Sequence, residues 1–167
     1  MTEQQRLFLV QARTDFAVFE LFRRNSTLPA CHALHYLQMA TELFGKAHAW
    51  RHGGPNLSHR AFVGFVRSLS HNRQAQDQLG FKMQNERWMH LIRKSVPLAQ
   101  RVEDLAPALR KDGKDGPNPE YPWPSDVPTA APAEHTFEIW EELQKTAAGR
   151  QFLSLLGHLF AAAEVFL

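Results

Sequence analysis

Apolar residues recur at intervals of three and four along almost the whole chain, and no run alternates with a period of two. That spacing stacks apolar side chains on one face of a helix and scatters them over both faces of a strand, so the fold class it predicts is all-α. Phe8, Ala12, Phe16, Phe19 and Phe22 predict a helix over residues 3–24, ended by the stretch NSTLP. Leu34, Leu37, Ala40, Phe44 and Ala47 predict a second over 29–51, with Pro29 in its first turn and HGGPN stopping it at Gly53. Ser58 reads as the N-cap of a third, whose apolar face is Ala61, Phe62, Phe65, Val66 and Leu69. The stretch SHNRQAQDQLG then reads as a polar connector. A fourth helix is expected over 83–109, with Trp88, Ile92, Ser95, Ala99, Val102, Ala106 and Leu109 in one stripe. Pro97 lies inside it at a cost of about 3 kcal/mol, which predicts a kink or break near Ser95. The last helix is expected over 134–166, bent around Ala147 to Gly149. Each helix but the last has one clear apolar face that others must cover, so the expectation is an up-and-down bundle of four to five helices.

The chain has 167 residues, of which 44% are hydrophobic and 22% charged, which suits a single globular domain spanning 1–167. Its one cysteine, Cys31, has no partner for an internal disulfide, and a reducing, cytoplasmic setting is the expectation. MTEQQRLFLVQARTDF has charges among its apolar residues and no small-residue cleavage site, so it does not read as a signal peptide. FLSLLGHLFAAAEVFL is strongly apolar but contains His158 and Glu164 and falls short of the roughly 20 residues a membrane span needs, so a buried helix is expected.

Charge is unevenly spread. From Arg51 to Lys94 there are eight Lys or Arg against two acids, and from Glu103 to Lys145 ten acids against four. Solvated helix faces that pair with one another would give this pattern. So would an anion- or RNA-binding face, whose candidate residues are Arg60, Arg67, His71, Arg87 and Arg93. Ahead of the last helix, residues 111–133 hold six of the ten prolines. Tyr121 and Trp123 sit among Pro119, Pro122 and Pro124, where a stiffened strand can dock two rings on the bundle as a clasp. An ordered recognition loop is the other reading of that segment.

On a helical wheel His35, Gln38, Glu42 and Lys46 fall within about 80° of one another, one narrow polar edge on the second helix. Glu42 and Lys46 form an i, i+4 pair in the favourable order, so the edge reads as scaffolding. His32 and His35 share a turn, but no second His or Glu-x-x-His pair stands on another helix, so no metal or other cofactor is expected. No phosphate loop, G-x-S-x-G, H-E-x-x-H or zinc-knuckle spacing is present.

LHYLQMATELFGKA resembles the second helix of HEPN domains, in which a Q-x-x-x-E-x-x-x-K-type stripe packs against the first helix. ARTDFAVFEL resembles their first helix and SHRAFVGFVRSL their third. PLAQRVEDLAPAL followed by NPEYPWP resembles the stretch that leads to their Tyr-Pro turn and final helix. The resemblance implies an up-and-down bundle that pairs as a homodimer. It also implies, in many members, a metal-independent ribonuclease built on Arg-x4-6-His, where His shuttles a proton and Arg steadies phosphate charge. Members without that motif act as binding or antitoxin-associated modules, or as partners of nucleotidyltransferases.

The motif is missing here. Arg51 to His59 and Arg150 to His158 each have seven residues between, and Arg67 to His71 has three. Glu120 stands where the family has an Arg before Tyr-Pro. On one continuous helix Arg150 and His158 would sit about 80° apart and about 12 Å along the axis. The expected function is therefore a non-catalytic HEPN-like module that dimerises and binds a macromolecular partner, protein or RNA. Its setting would be a bacterial toxin–antitoxin, stress or defence system, with an antitoxin or nucleotidyltransferase among the partners to expect. The alternative is a metal-independent endoribonuclease with Arg150 and His158 as the active pair. The apolar last helix, with Leu155, Leu159, Phe160, Ala163 and Phe166, motivates the dimer.

Overall fold

A computed structural model describes residues 1–52, 59–107, 117–123 and 131–166, and among them the fold is all-α, with no strand. Seven α-helices follow in order: α1 (Glu3–Phe22), α2 (Ala30–Ala49), α3 (Ala61–Ser68), α4 (Arg73–Gln78), α5 (Asn85–Glu103), α6 (Glu138–Lys145) and α7 (Ala147–Ala161). The helices that the periodicity predicts are found as α1, α2, α3, α5 and, for the last, the pair α6 and α7, whereas α4 is an addition it does not predict.

α1 begins on a capping box, with Thr2 and Gln5 bonding to each other's backbone N–H, and α2 packs against it as an antiparallel hairpin. Gln5 at the start of α1 donates to the carbonyl of Ala47 at the end of α2 (3.2 Å). Leu34, Leu37, Ala40, Phe44 and Ala47 are completely buried, and so is the face of α3 from Phe62 to Leu69 that covers them. α2 and α3 can approach because position 45 is glycine, where a Cβ would lie 2.5 Å from the amide N of Phe62. The helix over 61–68 has no cap from its own flank. Instead Glu103, at the far end of α5, accepts from the N–H of Val63 (2.9 Å) and serves the orphan donors of that first turn. The expected cap, Ser58, lies outside the described residues.

Two expectations are corrected downstream. SHNRQAQDQLG is not a plain connector: Asn72 caps α4 by accepting from the N–H of Ala75 (2.9 Å), and Gly80, with φ +81°, closes it. The Phe81 N–H then reaches back to the carbonyl of Gln76 (2.8 Å). Pro97 does not break α5, which runs unbroken through it from Asn85 to Glu103. The predicted stripe of that helix is buried from Trp88 to Ala106, and Leu109 lies outside the described residues.

The expected long last helix is split at Thr146, whose hydroxyl accepts from Gly149 N–H (2.9 Å) while its own N–H closes α6. Gly149 permits the fold-back, since a Cβ there would fall on the carbonyl of Glu142 and 2.6 Å from the Cα of Leu143. α7 then packs along α5 and reaches α1, where Phe16 stacks on Phe160 at 4.2 Å. Arg13 of α1 donates to the carbonyl of Phe160 (2.9 Å) and grips both oxygens of Glu164. Leu155, Leu159, Phe160, Ala163 and Phe166 are each at most 4% exposed. The bundle itself covers the last helix, so that helix gives no motive for a dimer.

Candidate functional site

The polar edge of α2 is not a wet edge. Gln38 and Glu42 are buried. Gln38 Nε2 donates to Glu42 Oε2 (2.7 Å), Lys46 Nζ to Oε1 (2.6 Å), and His59 Nδ1 meets Oε2 at 2.9 Å. Burial pushes the Glu42 carboxyl up, but the hydrogen bonds from Lys46 and His59 outweigh it and hold the group below the ordinary glutamate value. Three donors around one carboxylate make a structural network that fastens the α2–α3 connection to α2. Asp15, buried across the hairpin on α1, accepts from Gln11 (2.8 Å), and burial raises its carboxyl.

His35 leaves this row. It lines a hollow of about 320 Å³ with Cys31, His32, Pro119 and Glu120, and its Nδ1 stands 3.7 Å from Glu120 Oε1, too far for a hydrogen bond. Burial raises the Cys31 thiol, the opposite of what a nucleophile needs. Among the described residues no three His, Cys, Asp or Glu side chains converge as a metal site would require. Of the two candidate clasp rings, Trp123 is buried, edge-on to His135 at 5.1 Å and beside Phe137, whereas Tyr121 is 44% exposed. Only the tryptophan docks.

A cleft of about 990 Å³ lies between α5, the turn that precedes it, and α7. Leu79, Phe81, Leu91 and Leu155 give it an apolar lining. Arg87, His90 and Arg93 step by three along α5 and stand exposed at its rim, facing Gln151, Ser154 and His158 of α7. Glu86 is the one acid in the lining. Arg87 is steadied by Gln84 (2.8 Å) and Arg93 reaches His90 Nδ1 (3.4 Å). Gly80 matters here, because its left-handed turn delivers Phe81 to the cleft wall, where the ring also packs on Trp88 at 5.6 Å. Two guanidiniums and two imidazoles over an apolar floor suit a ligand that is anionic on one side and flat on the other.

Of the five residues proposed as one basic face, Arg87 and Arg93 meet in this cleft. Arg67 and His71 are exposed on and just after α3, and Arg60 lies next to α3's first turn near Glu103. None of those three belongs to the lining. His90, Gln151, Ser154 and Phe81 were missed; the three-residue step Arg87–His90–Arg93 was a readable signal for the first of them.

His158 is exposed on the wall and is not a core histidine. Its Nδ1 donates to the carbonyl of Ser154 (2.7 Å), which turns Nε2 outward. On its other side, Ser154 and His158 also line a groove of about 670 Å³ with Arg150, Glu20 and Arg23. Arg150 and His158 therefore border one groove, while Arg150 Nη1 is engaged with the carbonyl of Lys145 (3.0 Å).

No protein-family model, no curated protein and no solved structure matches the chain.

Proposed function

We propose that the chain is a non-catalytic helical binding module whose α5–α7 cleft holds single-stranded RNA. The observation that carries this is the cleft lining: Arg87, His90, Arg93 and His158 above Phe81 and leucines, with one acid. Guanidiniums take phosphate oxygens in bidentate fashion, and an aromatic wall stacks on a base whatever its sequence. The expectation of a HEPN-like binding module points the same way.

Fluorescence anisotropy with a labelled single-stranded RNA tests the proposal. Binding is expected to weaken steeply with salt, and Arg87→Ala with Arg93→Ala lowers affinity by about tenfold and the log–log salt slope by about 0.7 per arginine. Arg67→Ala is the control and leaves both unchanged. Salt-insensitive or absent binding ends the proposal.

The Arg150–His158 groove supports a second reading, a metal-independent endoribonuclease. Incubation with structured RNA in EDTA separates the two. Cleavage abolished by both Arg150→Ala and His158→Ala makes the chain an enzyme, and intact RNA leaves it a binding module.

A further inference from the structure

α1 has a second face. Leu9, Ala12, Phe16 and Phe19 point into the core, and on the other side Leu7, Val10, Thr14, Ala17 and Leu21 are exposed. The three larger side chains leave 49%, 52% and 67% of their surface in water. Single exposed apolar residues are ordinary, but these five step by three, four, three and four, the seam by which one helix packs along another. Thr14 does not spoil the seam, because its hydroxyl is bonded to the carbonyl of Val10 (2.9 Å).

We infer that this seam is a homodimer interface in which α1 pairs antiparallel with α1 of a second copy. The charges around it select that occupant and that direction. A parallel pair would stack Glu3 on Glu3 and Arg24 on Arg24 at the two ends, both exposed. Turned end over end, Val10 meets the partner's Leu21 and Thr14 meets the partner's Ala17, large on large and small on small. In that register Glu20 faces the partner's Arg13, and the aliphatic stem of Arg24 covers the partner's Leu7. Glu20 already holds Arg23 (2.6 Å) and Arg13 holds Glu164, so the new contact joins two existing pairs into one network. Opposed helix dipoles favour the same direction. The inference is independent of what the α5–α7 cleft binds.

Sedimentation equilibrium of the full chain tests it. The wild type is expected to dimerise by about 100 μM, and Leu21→Glu to weaken the dimer by at least about tenfold with an unchanged circular-dichroism melt. Direction is read in a Cys31→Ser background by mixing Val10→Cys with Leu21→Cys under oxidation. The mixed disulfide is expected to form faster than either self-disulfide. A monomer at that concentration, a dimer indifferent to Leu21→Glu, or faster self-disulfides would each overturn the inference.

Discussion

Glu42 shows how one residue can look superficial in sequence and be central in the fold. Its wheel position and its lysine four residues on describe a surface ion pair, a device that contributes only tenths of a kcal/mol. Burial changes the magnitude. With Gln38, Lys46 and His59 all directed at it, truncation strands three donors, and Glu42→Ala is expected to cost about 3 kcal/mol in chemical denaturation. Because its folded carboxyl lies below the ordinary value, its contribution is present above about pH 4.3 and fades as pH falls from there toward the folded value. The wild type's advantage over Glu42→Gln should shrink over that acid range. Glu103 has the opposite sign: burial raises its carboxyl, so its ionised form costs stability that returns as pH falls. Glu103→Gln keeps an oxygen for the Val63 N–H and is expected to be neutral or stabilising at pH 7. Glu103→Ala uncaps α3 and should cost about 1–3 kcal/mol.

Between elements, contacts are set by what is missing as much as by what is present. Gly45 and Gly149 each occupy a place where a single carbon would strike another helix's backbone, so Gly45→Ala and Gly149→Ala are expected to lower the melting temperature by several degrees each. Pro97→Ala should act the other way. Residue 97 is exposed and sits inside an unbroken helix, so the substitution restores a donor and should stabilise by about 2 kcal/mol, read by urea denaturation. Helix identity was legible because the 3.6 period is a property of local chain geometry. α4 was overlooked since it is only six residues long and mostly polar, although Asn72 and Gly80 marked both its ends. The split at Thr146 depended on a cap and a fold-back, which apolar periodicity does not register. The unbroken course through Pro97 is a tertiary override: Leu98, Ala99 and Val102 are buried beyond it and hold the helix on the core.

At the scale of the molecule, the basic middle of the chain is divided: Arg87 and Arg93 of α5 line the cleft, and Arg60, Arg67 and His71 do not. Residue counting could find the excess of charge but not its partition, which depends on α7 closing over α5 from some sixty residues away in sequence. The same closure explains why the last helix misled: its apolar surface is spent inside the bundle, whereas α1 leaves Leu7, Val10 and Leu21 exposed. The α1 stripe was present in the sequence but lay behind the more strongly apolar inward face. No helix among the described residues is long and apolar enough to cross a membrane.

His158 stands on a partition with a hollow on either side. One imidazole cannot serve both at once. A strand of RNA that recruits its Nε2 on the α5 side takes it from Arg150, so tight occupancy of the larger hollow would silence any chemistry in the smaller.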